Sequence, residues 1–319
     1  MVLNYSQLAT DAVKAQRFDA ALDIYASWFD AEPALFLNAK NSGMAAVTHT
    51  RNAASLARKA LYDKVNGIAG CSARIGKAVN YYFGLEEKRF QHALQQPAFF
   101  YVPALNAKPF YTLDEIPGLA DLVQQLRAFH PDLLTLAQRS FQHYVDTSGP
   151  VPSTEDWQKV KKNWLSTHLI RGDDKMVLTE PLLQQCQKTL EHSVVAHCPP
   201  HAAEAFVSSL LPGAEIPPHY GISNIKLTVH IPLHVNVSSW LRAGNEQFSW
   251  SVDSQVMIFD DSFLHSAANH GDSRRDVLIF DVWHPDLTDD EKSAIRHFMT
   301  QHKLWSEKYA KLAALDGRL

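Results

Sequence analysis

Short apolar segments separated by turn residues fill residues 216–285, and this stretch restricts the possible folds most strongly. Polar and apolar residues alternate over residues 224–231, and an alternation of period two predicts a β-strand. Further strands are predicted at the apolar runs 205–211, 254–260 and 277–283. Because Gly, Asn, Asp and Pro residues separate these runs, the pattern predicts an antiparallel sandwich or jelly roll.

Side chains with metal-binding chemistry stand at the ends of these predicted strands. His219 lies just before the strand at residues 224–231, and His265 follows the strand at residues 254–260. Strand ends on one rim of a barrel can bring metal ligands together, and imidazole is a ligand that suits Fe(II). The polar face of the first of these strands ends in His230, which favours the lining of a polar pocket. A half-exposed strand explains the same alternation equally well.

Several sequence motifs occur in order along this stretch. They are P-H-Y-G at 218–221, F-D-D-S-F-L-H at 259–265 and D-V-W-H-P at 281–285, with Asn224, Leu227, His230 and Arg275 between them. Their order and spacing resemble the aspartyl/asparaginyl β-hydroxylase family, and the resemblance extends over residues 97–298. It implies a double-stranded β-helix fold and an Fe(II)-dependent oxygenase that uses 2-oxoglutarate and O2 as co-substrates.

The predicted metal site lacks one expected ligand. Many Fe(II) oxygenases use two histidines and a carboxylate, and the carboxylate is expected two residues after the first histidine, where this chain has Gly221. The resemblance implies that His219 and His265 hold the iron alone and that water completes the coordination. Asp260 or Asp261 could instead supply a carboxylate, although capping of the turn also explains both aspartates.

The resemblance also implies a binding site for the co-substrate. Arg275 would bind the far carboxylate of 2-oxoglutarate, because a guanidinium offers planar and permanently charged donors. Ser208 would add a hydroxyl donor, and His230 and Trp164 would line the co-substrate pocket. For Trp164, an ordinary core tryptophan is the competing interpretation.

One departure from the family bears on the substrate. Peptide hydroxylases of the family carry an arginine where this chain has Thr228, and Lys226 on the same strand face could partly replace it. We therefore expect hydroxylation of a peptide, an amino acid or a related small carboxylate, and an aspartyl residue of an EGF-like domain is in doubt. Two alternatives stay open: the same chemistry on a lipid or natural-product intermediate, and a non-catalytic cupin-like or repeat-bearing binding protein.

Helical periodicity before Pro97 predicts an all-α domain over residues 1–95, and the oxygenase domain with its flanking helices would occupy residues 96–319. The predicted fold class is therefore α+β, a jelly roll preceded by a helical domain. Residues 17–33 resemble a tetratricopeptide-like helical hairpin, which would dock a peptide or protein partner. A helical cap that covers the oxygenase domain explains the same pattern.

Further helices are predicted outside the N-terminal domain. Periodic leucines mark residues 116–147, and another helix is predicted over residues 181–193. The sequence T-D-D-E at 288–291 has the form of a capping box, which predicts that a final helix begins there and continues to Leu315.

Composition and cysteine pattern bear on the class of protein and its location. The chain has 319 residues, 46% of them hydrophobic, and a net charge of −4, which is typical of a globular protein and gives no reason to expect a nucleic-acid partner. The N-terminus shows no signal-peptide pattern, and no apolar run reaches the ~20 residues of a membrane helix. Three widely spaced cysteines predict free thiols in a cytoplasmic protein, with a Cys186–Cys198 bridge as the alternative.

Overall fold

The secondary structure is mixed, as the sequence predicts. The computed structural model describes residues 4–139, 142–143, 154–250 and 255–315. Within these residues, the α-helices are α1 (Tyr5–Lys14), α2 (Phe18–Ala31), α3 (Pro33–Leu37), α4 (Ala39–Ser42), α5 (Met44–Val65), α6 (Ala73–Phe83), α7 (Leu119–Arg127), α8 (His130–Gln138), α9 (Glu155–Lys161), α10 (Pro181–Thr189) and α11 (Asp289–Ala313). Short 3-10 helices cover Asn66–Gly70 and Leu113–Glu115. The strands are β1 (Phe110–Tyr111), β2 (Gln142–His143), β3 (Trp164–Arg171), β4 (Asp174–Lys175), β5 (Ala205–Leu210), β6 (Ala214–His219), β7 (Lys226–His234), β8 (Ser239–Ala243), β9 (Glu246–Ser249), β10 (Met257–Phe259), β11 (His265–Asn269) and β12 (Arg275–Trp283).

The chain divides into two compact units. One unit consists of Met1–Val79 together with Ala294–Leu319, and the other consists of Asn80–Ser293. The sequence placed the boundary near residue 95 and assigned the C-terminal helix to the oxygenase domain, so both assignments need correction. Packing between segments far apart in the sequence produces the observed division, and local periodicity carries no information about such packing.

The helical unit has an apolar core to which both ends of the chain contribute. In α2 the buried residues Leu22, Tyr25 and Trp28 recur every three residues, which places them on one face of the helix. The C-terminal helix α11 buries residues in the same core, and the indole Nε1 of Trp305 donates a hydrogen bond of 2.7 Å to the carbonyl oxygen of Ala57. The predicted all-α region is therefore helical, whereas the tetratricopeptide-like interpretation of residues 17–33 is not confirmed.

The second unit contains two antiparallel sheets. The larger has the strand order β1-β10-β7-β12-β5-β3-β2, with β4 paired to β3, and the smaller has the order β6-β11-β8-β9. From β5 to β12 the chain passes back and forth between the two sheets, with the hairpin β8–β9 counting as one step. This alternation is the topology of a jelly roll, so the predicted fold class is confirmed.

The larger sheet is buried on both faces. Leu278 and Phe280 of β12 pack in a core with residues of α7, α8 and α10, whereas Val277 and Ile279 pack toward residues of the smaller sheet. Because side chains alternate along a strand, one strand supplies both cores, and this explains why β12 is almost continuously apolar. The space between the two sheets, called the interior below, also contains the polar residues of the candidate site.

The helix predicted over residues 116–147 is shorter than expected and divided in two. α7 and α8 are separate helices, and Pro131 lies in the first turn of α8, a position that proline tolerates. Residues 142–143 form strand β2, which pairs with β3, so the helical prediction is wrong there. Residues 144–147 lie outside the described part of the chain.

The other predicted helices are confirmed. α10 forms within residues 181–193. At the start of α11 the backbone amide of Glu291 donates to Thr288 Oγ1 at 3.3 Å, and the Glu291 carboxylate accepts from the Thr288 amide at 3.0 Å. These two bonds constitute the capping box and satisfy donors that a helix terminus otherwise leaves unpaired.

The structure bears on cysteine pairing and on membrane insertion. Cys71 is exposed and Cys186 and Cys198 are buried, and none of the three forms a disulfide, so the alternative of a Cys186–Cys198 bridge is wrong. None of the described helices combines the length and the apolar character that crossing a lipid bilayer requires.

Candidate functional site

His219 and His265 meet at the pairing of two strands. His219 is the last residue of β6 and His265 the first of β11, and the two residues are partners in the strand register. Their ring centroids are 4.0 Å apart. The structure therefore brings the two predicted metal ligands together, side by side.

Hydrogen bonds to the backbone fix the protonation of both rings. His219 Nδ1 lies 2.8 Å from the carbonyl oxygen of Pro217, and His265 Nδ1 lies 2.9 Å from that of Phe263. Because a carbonyl oxygen only accepts, each Nδ1 carries the proton and each Nε2 keeps its lone pair. Burial, followed by the neighbouring His219, lowers the pKa of His265 to about 3, and burial also lowers the pKa of His219. Both imidazoles are thus neutral near neutral pH, and neutral imidazole is the form that binds metal.

The Asp261 carboxyl group occupies the space beside Gly221. A Cβ added at Gly221 would lie 2.7 Å from Asp261 Cγ and 2.8 Å from the Asp261 carbonyl oxygen. That carbonyl oxygen accepts a hydrogen bond of 2.7 Å from the Gly221 amide. Asp261 Oδ2 accepts from Lys226, whereas Oδ1 is buried without a partner. Gly221 stands where many Fe(II) oxygenases have a carboxylate. The carboxylate of Asp261, from the turn after β10, therefore approaches this position from another part of the chain.

Neither aspartate of that turn completes a three-residue metal cluster. Among the described residues, no group of three or more His, Cys, Asp or Glu side chains could hold a metal ion. Asp260 Oδ1 accepts from the Ser262 amide at 2.9 Å, and Oδ2 accepts from Gln95 Nε2 at 2.8 Å. Asp260 thus caps its turn, as one of the two sequence interpretations expected.

Replacing Gly221 with alanine is expected to destabilise the protein by about 1–3 kcal/mol, because the added methyl group would overlap the Asp261 backbone and carboxyl group. Chemical denaturation measures this change. Gly67→Ala is the control, since a Cβ at Gly67 meets no atom within 4 Å. Equal stability of the two variants would contradict the close approach at Gly221.

Arg275 is a buried cation with unused hydrogen-bond donors. The residue is 1% exposed, and its Nε and Nη1 have no hydrogen-bond partner. Its guanidinium carbon lies 5.5 Å from the ring centroid of Trp250. Burial lowers the pKa of Arg275 to about 10, so the side chain stays protonated at neutral pH. A buried charge with unpaired donors is unfavourable unless an anion binds it, and a carboxylate fits the guanidinium geometry.

The neighbouring Arg274 lies on the opposite face of the strand. Its guanidinium bonds to Asp276 at 3.0 Å, to Ser209 Oγ at 2.7 Å and to the Ala137 carbonyl oxygen at 2.6 Å. The alternation predicted for these two arginines is therefore present, and Asp276 pairs with Arg274 instead of Arg275.

Ser208 and Trp164 are hydrogen-bonded to each other in the interior. Trp164 Nε1 donates to Ser208 Oγ at 3.0 Å, so the Ser208 hydroxyl hydrogen can be donated to a further acceptor. Trp164 also packs in the core between the sheets, so the two interpretations of this tryptophan do not exclude each other. Ser166, the register partner of Ser208, is fully buried, and its Oγ has no partner.

His230 lies on the larger sheet and faces Trp250. The two rings are parallel within 5° with centroids 6.3 Å apart, and His230 Nδ1 and Trp250 Nε1 are both buried without partners. Burial and then the positive charge of Arg275 lower the pKa of His230, so its ring is neutral. Strand β7 is buried from Lys226 to Leu233, and the half-exposed alternative for this strand is therefore wrong.

Lys226 and Thr228 were predicted as substrate contacts. Lys226 Nζ donates to Asp281 Oδ1 at 2.8 Å and to Asp261 Oδ2 at 3.0 Å, so two carboxylates already engage its charge. Thr228 is 8% exposed and stands in register between Phe259 and Asp281. The structure thus corrects the expectation that Lys226 replaces an arginine as a free anion contact.

Several residues of the interior have buried polar atoms without partners. They are Ser166, His230, Trp250 and Arg275. Proteins rarely leave buried polar atoms unpaired, so a cluster of them indicates the binding site of a polar ligand. Sequence analysis missed two of these residues. Ser166 could have been found, because it follows Trp164 by two positions on one strand, but nothing in the local sequence distinguishes Trp250 from a core tryptophan.

We expect His219→Ala and His265→Ala each to lose the capacity to bind metal, because the two rings lie side by side and hydrogen bonds to the backbone leave each Nε2 with its lone pair. Metal content after loading with Fe(II) under anaerobic conditions measures this. His270→Ala is the matched control, since His270 directly follows β11 but is half-exposed and pairs with Glu215 of β6. Full metal binding by either single-site variant would contradict the assignment.

Comparison with known proteins agrees with the motifs. The model of the aspartyl/asparaginyl beta-hydroxylase family matches residues 132–285, a shorter span than residues 97–298, and this span includes His219, His265 and Arg275. Aspartate beta-hydroxylase domain-containing protein 2 of Mus musculus is 27% identical over 211 residues, which cover 64% of this chain and 59% of that protein. Aspartyl/asparaginyl beta-hydroxylase of Mus musculus is 27% identical over 235 residues, which cover 70% of this chain and 30% of that protein.

The matched regions cover only part of these relatives, 59% of one and 30% of the other. Among solved structures, the Schizosaccharomyces pombe Cnp3 cupin domain aligns with 38% of this chain and 64% of that chain, at 12% identity and a TM-score of 0.24. A similarity that low supports no conclusion, and the fold assignment rests on the strand order. The resemblance in the motifs is confirmed by the match of the aspartyl/asparaginyl beta-hydroxylase family model to residues 132–285.

Proposed function

We propose that this chain is an Fe(II)- and 2-oxoglutarate-dependent oxygenase that hydroxylates an unactivated C–H bond of a peptide, an amino acid or a related small carboxylate. The observation that carries the proposal is the buried Arg275, whose Nε and Nη1 lack partners. A small dianion would satisfy this cation and the unpaired polar atoms around it. The relatives named as beta-hydroxylases support hydroxylation as the reaction class.

In this proposal His219 and His265 hold Fe(II) through their Nε2 atoms. Their Nδ1–H groups donate to backbone carbonyls, which fixes both rings in the orientation and tautomer that a metal needs. The unpaired Oδ1 of Asp261 adds negative charge beside the histidines and favours a divalent cation there. When bound, Fe(II) would activate O2 while 2-oxoglutarate is oxidatively decarboxylated to succinate.

The other interior residues bind and orient the co-substrate. Arg275 would donate to the far carboxylate of 2-oxoglutarate, and the Ser208 hydroxyl, which already accepts from Trp164, would add a second donor. The parallel rings of His230 and Trp250 would flank the carbon chain of the co-substrate. Their burial excludes water, which strengthens the bond between guanidinium and carboxylate.

Succinate release tests the proposed reaction. Protein loaded with Fe(II) is mixed with 2-oxoglutarate, O2 and pools of peptides, amino acids or acyl lipids, and the His219→Ala variant is treated identically. We expect one pool of peptides or amino acids to raise succinate release above the background of the variant. A response to the lipid pool alone would select the lipid alternative. Failure to bind metal and 2-oxoglutarate would overturn the proposal, and binding of both without release in any pool would favour a non-catalytic binding protein.

A further inference from the structure

The charge of Lys226 is neutralised by carboxylates within the interior. Its Nζ lies between Asp281 Oδ1 at 2.8 Å and Asp261 Oδ2 at 3.0 Å, and the side chains of Lys226, Asp261 and Asp281 are 8%, 18% and 3% exposed. Burial acts to lower the pKa of Lys226, but the two carboxylates outweigh it and the pKa is raised overall. The side chain therefore stays an ammonium whose charge is more than balanced by two aspartates.

Few other cations are available to this space. Among the described residues, Lys226 is the buried lysine and Arg275 is the buried arginine. Arg242 on the smaller sheet is exposed and bonded to Gln247. The internal stretches 140–141, 144–153 and 251–254, which the structure does not describe, contain no lysine or arginine, and Arg318 lies in the undescribed C-terminal residues 316–319. No further basic side chain of these stretches can therefore supply charge to the interior.

The interior is balanced once the proposed metal and co-substrate are bound. Arg275 and Lys226 offset Asp261 and Asp281, and a divalent metal offsets the two charges of 2-oxoglutarate. His230 is neutral because burial and the charge of Arg275 hold its pKa low. An additional carboxylate in this space would be buried without a counter-charge, which is strongly unfavourable.

Rings stand beside both histidines. The Trp157 ring centroid is 5.2 Å from that of His219, and the Phe259 ring centroid is 5.4 Å from that of His265. Aromatic walls accommodate an uncharged group and offer nothing that neutralises an anion. The surroundings of the two histidines thus agree with the charge balance.

We propose that the part of the substrate that enters the interior carries no negative charge: its reacting group is a neutral one such as an amide, an alcohol or a hydrocarbon chain. This inference rests on the proposed function, since it counts the charges of Fe(II) and 2-oxoglutarate. Carboxylates elsewhere on a peptide or amino-acid substrate remain outside the interior. Lys226 serves to hold Asp261 and Asp281 and is no anchor for an acidic substrate.

A matched pair of small ligands tests the inference. N-acetyl-aspartate methylamide and N-acetyl-asparagine methylamide have nearly the same shape and differ in charge. Each is titrated calorimetrically, without O2, into protein loaded with Fe(II) and saturating 2-oxoglutarate. We expect the wild type to show no preference for the acid. Asp281→Asn and Asp261→Asn each release part of the Lys226 charge, and each should raise the preference for the acid over the amide about tenfold, through one charge-assisted hydrogen bond.

Each outcome of this titration either supports or overturns the inference about substrate charge. A wild type that binds the acid about tenfold more tightly than the amide overturns the inference, and so does the absence of any gain in both folded variants. If both variants fail to fold, judged by circular dichroism, the wild-type comparison alone decides. Loading with Fe(II) and 2-oxoglutarate is measured first, so failure of the proposed function appears as failed loading, whereas failure of the inference appears as acid preference in loaded protein.

Discussion

Replacing Arg275 with methionine is expected to weaken 2-oxoglutarate binding by about one to two orders of magnitude, because a charge-assisted hydrogen bond contributes about 1.5–3 kcal/mol. Without ligand, the Arg275→Met variant should be no less stable than the wild type. In the absence of ligand the guanidinium is buried with Nε and Nη1 unpaired, and replacing such a charge with an apolar chain of similar volume is often neutral or stabilising. Anaerobic calorimetry measures the binding, and chemical denaturation measures the free energy of unfolding.

Arg242→Met is the matched control for Arg275→Met. Arg242 is exposed on the smaller sheet and bonds to Gln247, so its removal should leave the dissociation constant of 2-oxoglutarate unchanged. Iron binding should survive in both variants, because neither arginine holds the metal. An unchanged dissociation constant in Arg275→Met would show that the co-substrate binds another cation and would remove the support that Arg275 gives to the proposed function.

Replacing Lys226 with methionine is expected to lower the free energy of unfolding by about 3–5 kcal/mol, because it leaves two buried carboxylates without their shared counter-charge. Asp261 and Asp281 would then face each other's charge in a space that water barely reaches. The loss should be smaller in acid, because burial raises the pKa of Asp281 and protonation removes its charge. Urea denaturation at neutral and acid pH measures both effects.

Lys175→Met provides the comparison within the same unit. Lys175 pairs with Glu191 on the surface, where both side chains are about half exposed, and exposed ion pairs contribute little to stability. If Lys226→Met destabilised the protein no more than Lys175→Met, the buried ion pairs would not hold the interior together. The inference about substrate charge would then lose its basis as well.

Much of the β-domain could be predicted from local sequence, because its strands follow simple patterns. The alternation around His230 and the apolar run after Arg275 are local signals, and both correspond to strands of the larger sheet. The capping box at Thr288 is likewise a local signal. Strand β2 was missed because it has only two residues and forms by pairing with β3, and no local pattern reports that pairing.

The candidate site, too, could be predicted only where local sequence motifs mark its residues. His219, His265 and Arg275 stand in motifs that can be recognised in order along the chain, and the structure brings the two histidines into register. The role of Lys226 could not be predicted, because its partner Asp281 is 55 residues away and meets it only through the pairing of β7 with β12. The position of the C-terminal helix in the helical unit depends in the same way on distant packing.

Titration of 2-oxoglutarate into metal-free and Fe(II)-loaded protein, without O2, tests most directly whether the two histidines and Arg275 form one site. We predict equimolar iron and equimolar 2-oxoglutarate per chain, with much tighter binding of 2-oxoglutarate when iron is present, because the metal and Arg275 would hold opposite ends of the same molecule. Binding of 2-oxoglutarate that is equally tight with and without iron, or that persists unchanged in His219→Ala and Arg275→Met, would contradict the account.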